Sequence, residues 1–118
     1  MNSDVIDAAA FERLLDITGG DLEFVDELVE TYLDDAVAQL AGMRQAAADD
    51  DAAAMVRPAH SLKSSSENVG ALTLADACRS LEADAKDGSV ADAVARVAAC
   101  DATFERVSAA LLAMRTSR

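Results

Sequence analysis

The chain contains one histidine, His60, in a stretch of small and charged residues that could take part in a reaction. Lys63 follows three positions later, and Ser64, Ser65 and Ser66 come directly after it. An imidazole can act as a nucleophile, as a metal ligand or as a general base for a neighbouring hydroxyl. The sequence therefore directs attention to residues 59–71 and to the face on which they place the imidazole.

Helical periodicity predicts which side of this stretch is buried. At about 100° per residue, its core-facing residues fall within one narrow arc. They are Met55, Ala59, Leu62, Ser66 and Val69. His60 points about 140° from Met55, and Ser64 lies about opposite Met55, with Lys63 and Glu67 flanking the same outward side. We expect His60 to be exposed halfway along a central helix.

Other interpretations of the histidine stay open on pattern alone. A lone histidine is usually an ordinary surface or core residue, and the helical wheel argues only against the core. A metal or haem site has little support, because one histidine is present and no Glu-x-x-His pair occurs. A Ser–His hydrolase also has little support, since Ser64 lies in a regular helical pattern without a glycine-rich elbow. We expect no metal site.

Five helices are predicted to position these residues. They run from about Asp7 to Ile17, Asp21 to Ala48, Ala52 to Val69, Thr73 to Asp87, and Ser89 to Met114. Asp7, Asp21 and the run 49–51 are good N-caps. Thr73 with Asp76 resembles a capping box, and Ser89 with Asp92 opens the last helix. Gly19-Gly20, Gly70 and Gly88 supply the helix ends.

The apolar residues recur at three- and four-residue steps, as expected for helices with one buried side. In the second helix the predicted stripe extends from Phe24 to Met43 and includes Val37, and in the fifth helix it includes Val94. Pro58 lies inside the third helix. An interior proline removes a hydrogen bond, so we expect either a local bend or a helix that starts near Pro58.

Composition and connection lengths predict the fold class. The 118 residues are 52% apolar but only 3% aromatic, with five glycines and one proline, which favours an all-α protein. Short connections make neighbouring helices antiparallel. We expect one domain over residues 1–118, an up-down four-helix bundle with a short extra N-terminal helix.

Cys78 and Cys100 match no zinc or redox spacing and are predicted to be buried free thiols, with a disulfide as the lesser alternative.

Charge narrows the classes of partner. A net charge of −12 argues against nucleic acid and anionic membranes, and the surface suits a basic or mixed-charge protein. No apolar stretch reaches the length of a membrane span, and the first ten residues have no basic side chain, unlike a signal peptide. We therefore expect a cytoplasmic protein.

Residues 59–71, AHSLKSSSENVGA, resemble the signature of histidine phosphotransfer (HPt) domains. That signature is a histidine, two residues, a lysine, a small glycine- or serine-rich run, then Gly-Ala or Gly-Leu. Residues 72–85, with CRSLE at 78–82, and the opening residues 11–33 are also similar to the family. The resemblance covers essentially the whole chain and implies a phosphorelay intermediate within a helical bundle.

The resemblance implies a role for each matching residue. His60 would accept the phosphoryl group, and Lys63 would place positive charge near the phosphoryl oxygens. Glu82 matches the position of a polar residue that faces the histidine, where it could accept the Nδ1 proton and leave Nε2 to attack. Ser64 stands where the family usually has glycine, which affects the docking geometry. Val56, Ser64 and Glu67 are candidate partner-binding residues.

The partners implied are response-regulator receiver domains, a hybrid histidine kinase, or both. The receiver would supply the aspartate and the Mg²⁺, so no cofactor is expected on this chain, and a monomer is expected. A free-standing protein is suggested, although a domain of a larger kinase would look the same. A helical adaptor that carries no phosphate and a cofactor-binding bundle are the alternatives.

Overall fold

The computed structural model describes residues 5–116, and the side chains of residues 5–114, as five α-helices without a strand. The helices are α1 (Ala8–Ile17), α2 (Leu22–Ala48), α3 (Ala52–Asn68), α4 (Leu72–Lys86) and α5 (Ala93–Thr116). The all-α prediction is confirmed. The two ends of the single domain expected over residues 1–118 lie outside the described residues.

The four longer helices close into an antiparallel bundle. α2 packs on α3 and α5, α4 packs on the same two helices, and α1 lies against α2 and α3. The bundle measures 43 × 25 × 21 Å. The up-down arrangement with an extra N-terminal helix is therefore as predicted. Within the described residues, no helix combines the length and the apolar character needed to cross a membrane.

Aspartates cap three of the helices, as the sequence predicts. The carboxylates of Asp7, Asp21 and Asp51 each accept a hydrogen bond from the backbone N–H three residues later, at 3.0–3.3 Å. Each bond satisfies one of the N–H groups that the first turn of a helix leaves without a partner. These caps fix the starting points of α1, α2 and α3.

The prediction that a capping box starts α4 is wrong. The helix begins at Leu72, and its N-cap, Ala71, makes no side-chain hydrogen bond. Asp76, which was to complete the box with Thr73, instead forms an ion pair with Arg79. The turn that ends α3 leads directly into α4, so the helix starts before Thr73 can act as its cap.

The start of α5 also differs from the prediction. Asp92 has a φ of 57°, in the left-handed region, so it cannot belong to the helix that begins at Ala93. The Ser89 hydroxyl accepts a hydrogen bond from the Ala91 N–H at 3.2 Å, which closes a short turn before the helix. Val94, predicted to be in the buried stripe, is exposed.

The core confirms the predicted face of α3 and corrects that of α2. All five predicted core positions of α3 are buried. In α2 the buried line consists of Val25, Val29, Tyr32, Ala36, Leu40, Met43 and Ala46. Phe24 and Val37 are 46% and 57% exposed, because each lies one residue, about 100°, from that line. Cys78 and Cys100 are free and buried, as predicted.

Pro58 lies within an uninterrupted α3, which excludes the alternative in which the helix starts there. The helix α2 passes close to it at Gly42, where a Cβ would lie 3.4 Å from the Cβ of Pro58. Gly42 therefore lies at the point where α2 packs against the proline of α3. The other alternative, a local bend, stays a prediction.

Candidate functional site

The turn between α3 and α4 places the candidate residues opposite one another. Gly70 has a φ of 83°, its N–H donates to the Glu67 carbonyl at 3.1 Å, and the Ala71 N–H donates to the Ser66 carbonyl at 2.8 Å. This closure ends α3 and returns the chain antiparallel. His60 lies ten residues before Gly70 and Glu82 twelve after it, so the two side chains are nearly level.

His60 projects from the middle of α3 into solvent, with 56% of its side chain exposed, as the helical wheel predicts. Ser61, Ser64 and Ser65 nearby are partly buried and small. Small side chains therefore border the ring on this part of α3, and the imidazole is accessible from solvent.

The carboxylate of Glu82 orients the imidazole. Its Oε2 lies 2.8 Å from Nδ1 of His60, and the side chain is only 6% exposed. Burial alone would raise the pKa of Glu82, but hydrogen bonds from Lys86, His60 and Lys63 together lower it to about 2. An ionised carboxylate only accepts hydrogen bonds, so Nδ1 carries a proton, and in the neutral ring the lone pair lies on Nε2.

Lys63 binds the other oxygen of the same carboxylate. Its Nζ lies 3.2 Å from Oε1 of Glu82, and only 20% of its side chain is exposed. The helical wheel placed Lys63 on the outward side, whereas the packing of α4 against α3 covers most of it. Its ammonium group is held between the two helices, on the same carboxylate as the imidazole.

Lys86 completes the cluster, and the sequence analysis missed it. Its Nζ lies 3.1 Å from Oε2 of Glu82, the oxygen that also accepts the hydrogen bond from His60. The signal available in the sequence was its position four residues after Glu82, where opposite charges on a helix meet. Glu82 thus has three donors, one from each of His60, Lys63 and Lys86.

The candidate partner-binding residues have different surroundings. Val56 is half-buried against the core, and Ser64 is partly buried on the side of α3 that carries His60. Glu67 is exposed, but its carboxylate pairs with Arg79 of α4 at 2.8 Å. The charge of Glu67 is therefore already engaged between the two helices, through an arginine that the sequence analysis did not single out.

One buried polar contact joins α2 and α3 in the core. The hydroxyls of Tyr32 and Ser66 lie 2.8 Å apart, and both residues are buried. Burial raises the pKa of Tyr32 to about 12, so the hydroxyl stays neutral. The Tyr32 ring packs edge-on against Phe104 of α5, with ring centroids 6.2 Å apart.

The charge of Glu82 is expected to stabilise the bundle in a pH-dependent way. Glu82→Gln should lower the free energy of unfolding by about 1–3 kcal/mol at neutral pH, because the amide weakens three charge-assisted contacts. Since the pKa of Glu82 is lowered on folding, the difference between the two proteins is complete above pH 4.5 and shrinks as pH falls toward about 2. Denaturant titrations below pH 4.5 measure it, and a difference that grows as pH falls from 4.5 toward about 2 would contradict the charge argument.

Chemically, the arrangement presents a nucleophilic nitrogen to solvent while a buried anion fixes the tautomer and two ammonium groups lie alongside. Among the described side chains, no three His, Cys, Asp or Glu residues form a group suited to a metal ion.

Comparison with known proteins links this site to a family. The model of the Hpt domain family matches residues 27–110. Among solved structures, histidine-containing phosphotransfer protein B (HptB) from Pseudomonas aeruginosa PAO1 superimposes with a TM-score of 0.87 and 26% sequence identity. The match covers 97% of this chain and 96% of that one. A search of curated proteins found no significant match.

Proposed function

Because the chain belongs to the Hpt domain family, we propose that His60 accepts a phosphoryl group from the phospho-aspartate of one receiver domain and passes it to another. The observation that carries the proposal is the imidazole itself: Nδ1 is bound to Glu82 at 2.8 Å, and the ring projects from the bundle surface. Such a ring is ready to attack through Nε2.

In the proposed transfer step, the imidazole acts in the orientation that its contact with Glu82 gives it. The lone pair of Nε2 forms a bond to phosphorus while the bond from phosphorus to the aspartate oxygen breaks, and the electron pair leaves with the carboxylate. The ring keeps its Nδ1 proton and gains positive charge, which the Glu82 carboxylate stabilises. The reverse reaction delivers the phosphoryl group to the next receiver.

Receiver domains and histidine kinases are the partners of this family. We propose that the receiver supplies Mg²⁺ and the aspartate, and that this chain contributes no cofactor of its own. The chain would then be a phosphocarrier whose contribution to catalysis is a rigidly placed nucleophile. It acts as a monomer in the cytoplasm, and its docking surface includes Val56, Ser64 and Glu67.

A transfer assay tests the proposal. A panel of receiver domains, each carrying radiolabelled phosphoryl groups, is mixed with the protein, and the label on this chain is followed with time. We expect an adduct that is labile in acid and stable in base, as a phosphohistidine is. A helical adaptor would bind a receiver without acquiring label, and that outcome would overturn the proposal.

Lys63 is expected to accelerate the transfer. Lys63→Ala should slow phosphorylation of His60 about tenfold, because the ammonium no longer offsets charge on the phosphoryl oxygens in the transition state. Lys63→Arg, which keeps the charge, should restore part of the rate. Single-turnover kinetics measure both variants, with circular dichroism as the check on folding. A rate unchanged in the alanine variant would remove Lys63 from the mechanism.

A further inference from the structure

One oxygen of Glu82 has two donors of different kinds. Nδ1 of His60 approaches Oε2 at 2.8 Å, and Nζ of Lys86 approaches the same oxygen at 3.1 Å. Lys63 occupies the other oxygen, Oε1, at 3.2 Å. A single buried carboxylate is therefore surrounded by two ammonium groups and one ring N–H.

This balance of charge affects the protonation of the ring. A carboxylate beside an imidazole stabilises the doubly protonated cation, which has no lone pair on Nε2 and cannot attack phosphorus. Ammonium groups on the same carboxylate oppose that effect. Glu82 can then hold the Nδ1 proton, which sets the tautomer, without drawing a second proton onto Nε2.

We infer that Lys86 is a positioning residue for phosphoryl acceptance: by offsetting the charge of Glu82, it keeps Nε2 of His60 unprotonated near neutral pH. The inference rests on the proposed function of His60. Lys86 is assigned this role because its ammonium group binds the carboxylate that holds the ring.

Other charged groups lie near the cluster on the helices that pack around it. On α3, Arg57 is exposed one turn before His60. On α4 and α5, Arg79 pairs with Glu67 and Asp76, and Arg96 pairs with Asp84.

On α2, Asp35 accepts a hydrogen bond from Gln39 at 3.2 Å. Glu82 itself is in ionic contact with His60, Lys63 and Lys86.

The test is the pH dependence of phosphorylation by phosphoramidate, a small donor that needs no protein partner. The P–N bond breaks, ammonia leaves, and Nε2 gains the phosphoryl group. We compare wild type with Lys86→Gln, Lys86→Arg and Arg44→Gln. Arg44 pairs with Asp101 between α2 and α5, so its replacement removes a positive charge outside the cluster.

We expect the acid limb of the rate profile of Lys86→Gln to move upward by about half a pH unit relative to wild type, since a charge at this distance is partly screened by solvent. Lys86→Arg and Arg44→Gln should keep the wild-type profile. The donor's own titration is common to all four proteins and cancels in the comparison.

The outcomes separate the inference from the proposed function. An acid limb of Lys86→Gln that coincides with that of wild type would overturn the inference alone, as would a rate lowered equally at every pH. If wild type acquires no label from phosphoramidate or from any receiver domain, the proposed function fails and the inference fails with it.

Discussion

Replacing His60 with glutamine is expected to abolish phosphoryl acceptance and to leave the bundle folded. Glutamine can still donate an amide N–H toward Glu82, but its amide nitrogen has no available lone pair with which to attack phosphorus. The side chain is 56% exposed, so the change removes little packing. The label on the chain should fall to background.

The measurement is radiolabel on the purified variant after incubation with phosphorylated receiver domains, with the thermal unfolding midpoint as the check on folding. Arg44→Gln, a surface change on the side of α2 facing α5, is the matched control and should be labelled as wild type is. Acid-labile label that persists on His60→Gln would place the phosphoryl group elsewhere and refute the assignment.

Gly70→Ala is expected to have the largest effect on stability, a loss of about 2–4 kcal/mol. The φ of 83° is costly for any residue with a Cβ. A Cβ at this position would also lie 2.8 Å from the backbone oxygen of Asp7, closer than real contacts allow. The Gly70 carbonyl accepts a hydrogen bond from the Asp7 N–H at 2.7 Å. A backbone shift that relieved the clash would therefore disturb the packing of α1 against this turn.

Gly88→Ala is a close control, because Gly88 has nearly the same φ, 85°, with nothing within 4 Å of its ideal Cβ. That variant should lose only about 1 kcal/mol, the cost of the backbone conformation itself. Chemical denaturation of both variants measures the difference. Equal losses would mean that the contact between α1 and the α3–α4 turn contributes nothing to the penalty at Gly70.

Part of the candidate site could be predicted from the sequence. The 3.6-residue periodicity placed His60 on the exposed side of α3, because that helix has a narrow apolar arc. Glu82 came from the family resemblance, and the structure does bring its carboxylate to Nδ1. Lys86 was missed, since a lysine four residues after a glutamate is common on helix surfaces and its meaning depends on which side of α4 faces α3.

The same limit explains the errors in the fold. Where two adjacent faces of a helix are both apolar, the sequence pattern does not say which face packs against another helix. For this reason Phe24 and Val37 of α2 were predicted to be buried, although both are exposed. Helix starts at Leu72 and Ala93 depended on backbone geometry in the preceding turns, which the cap residues alone did not reveal. The aspartate caps succeeded because their signal is local.

The hydrogen bond between Tyr32 and Ser66 has a consequence for the orientation of the imidazole carried by the same helix, α3. An apolar helix surface can rotate about the helix axis with little change in buried area. The two hydroxyls, by contrast, stay 2.8 Å apart only in a narrow range of rotations of α3. A rotation that separated them would leave both buried hydroxyls without a hydrogen-bond partner, at a cost of about 1–3 kcal/mol for each. The buried hydrogen bond between Tyr32 and Ser66 thus helps to fix the direction in which the exposed imidazole of His60 points.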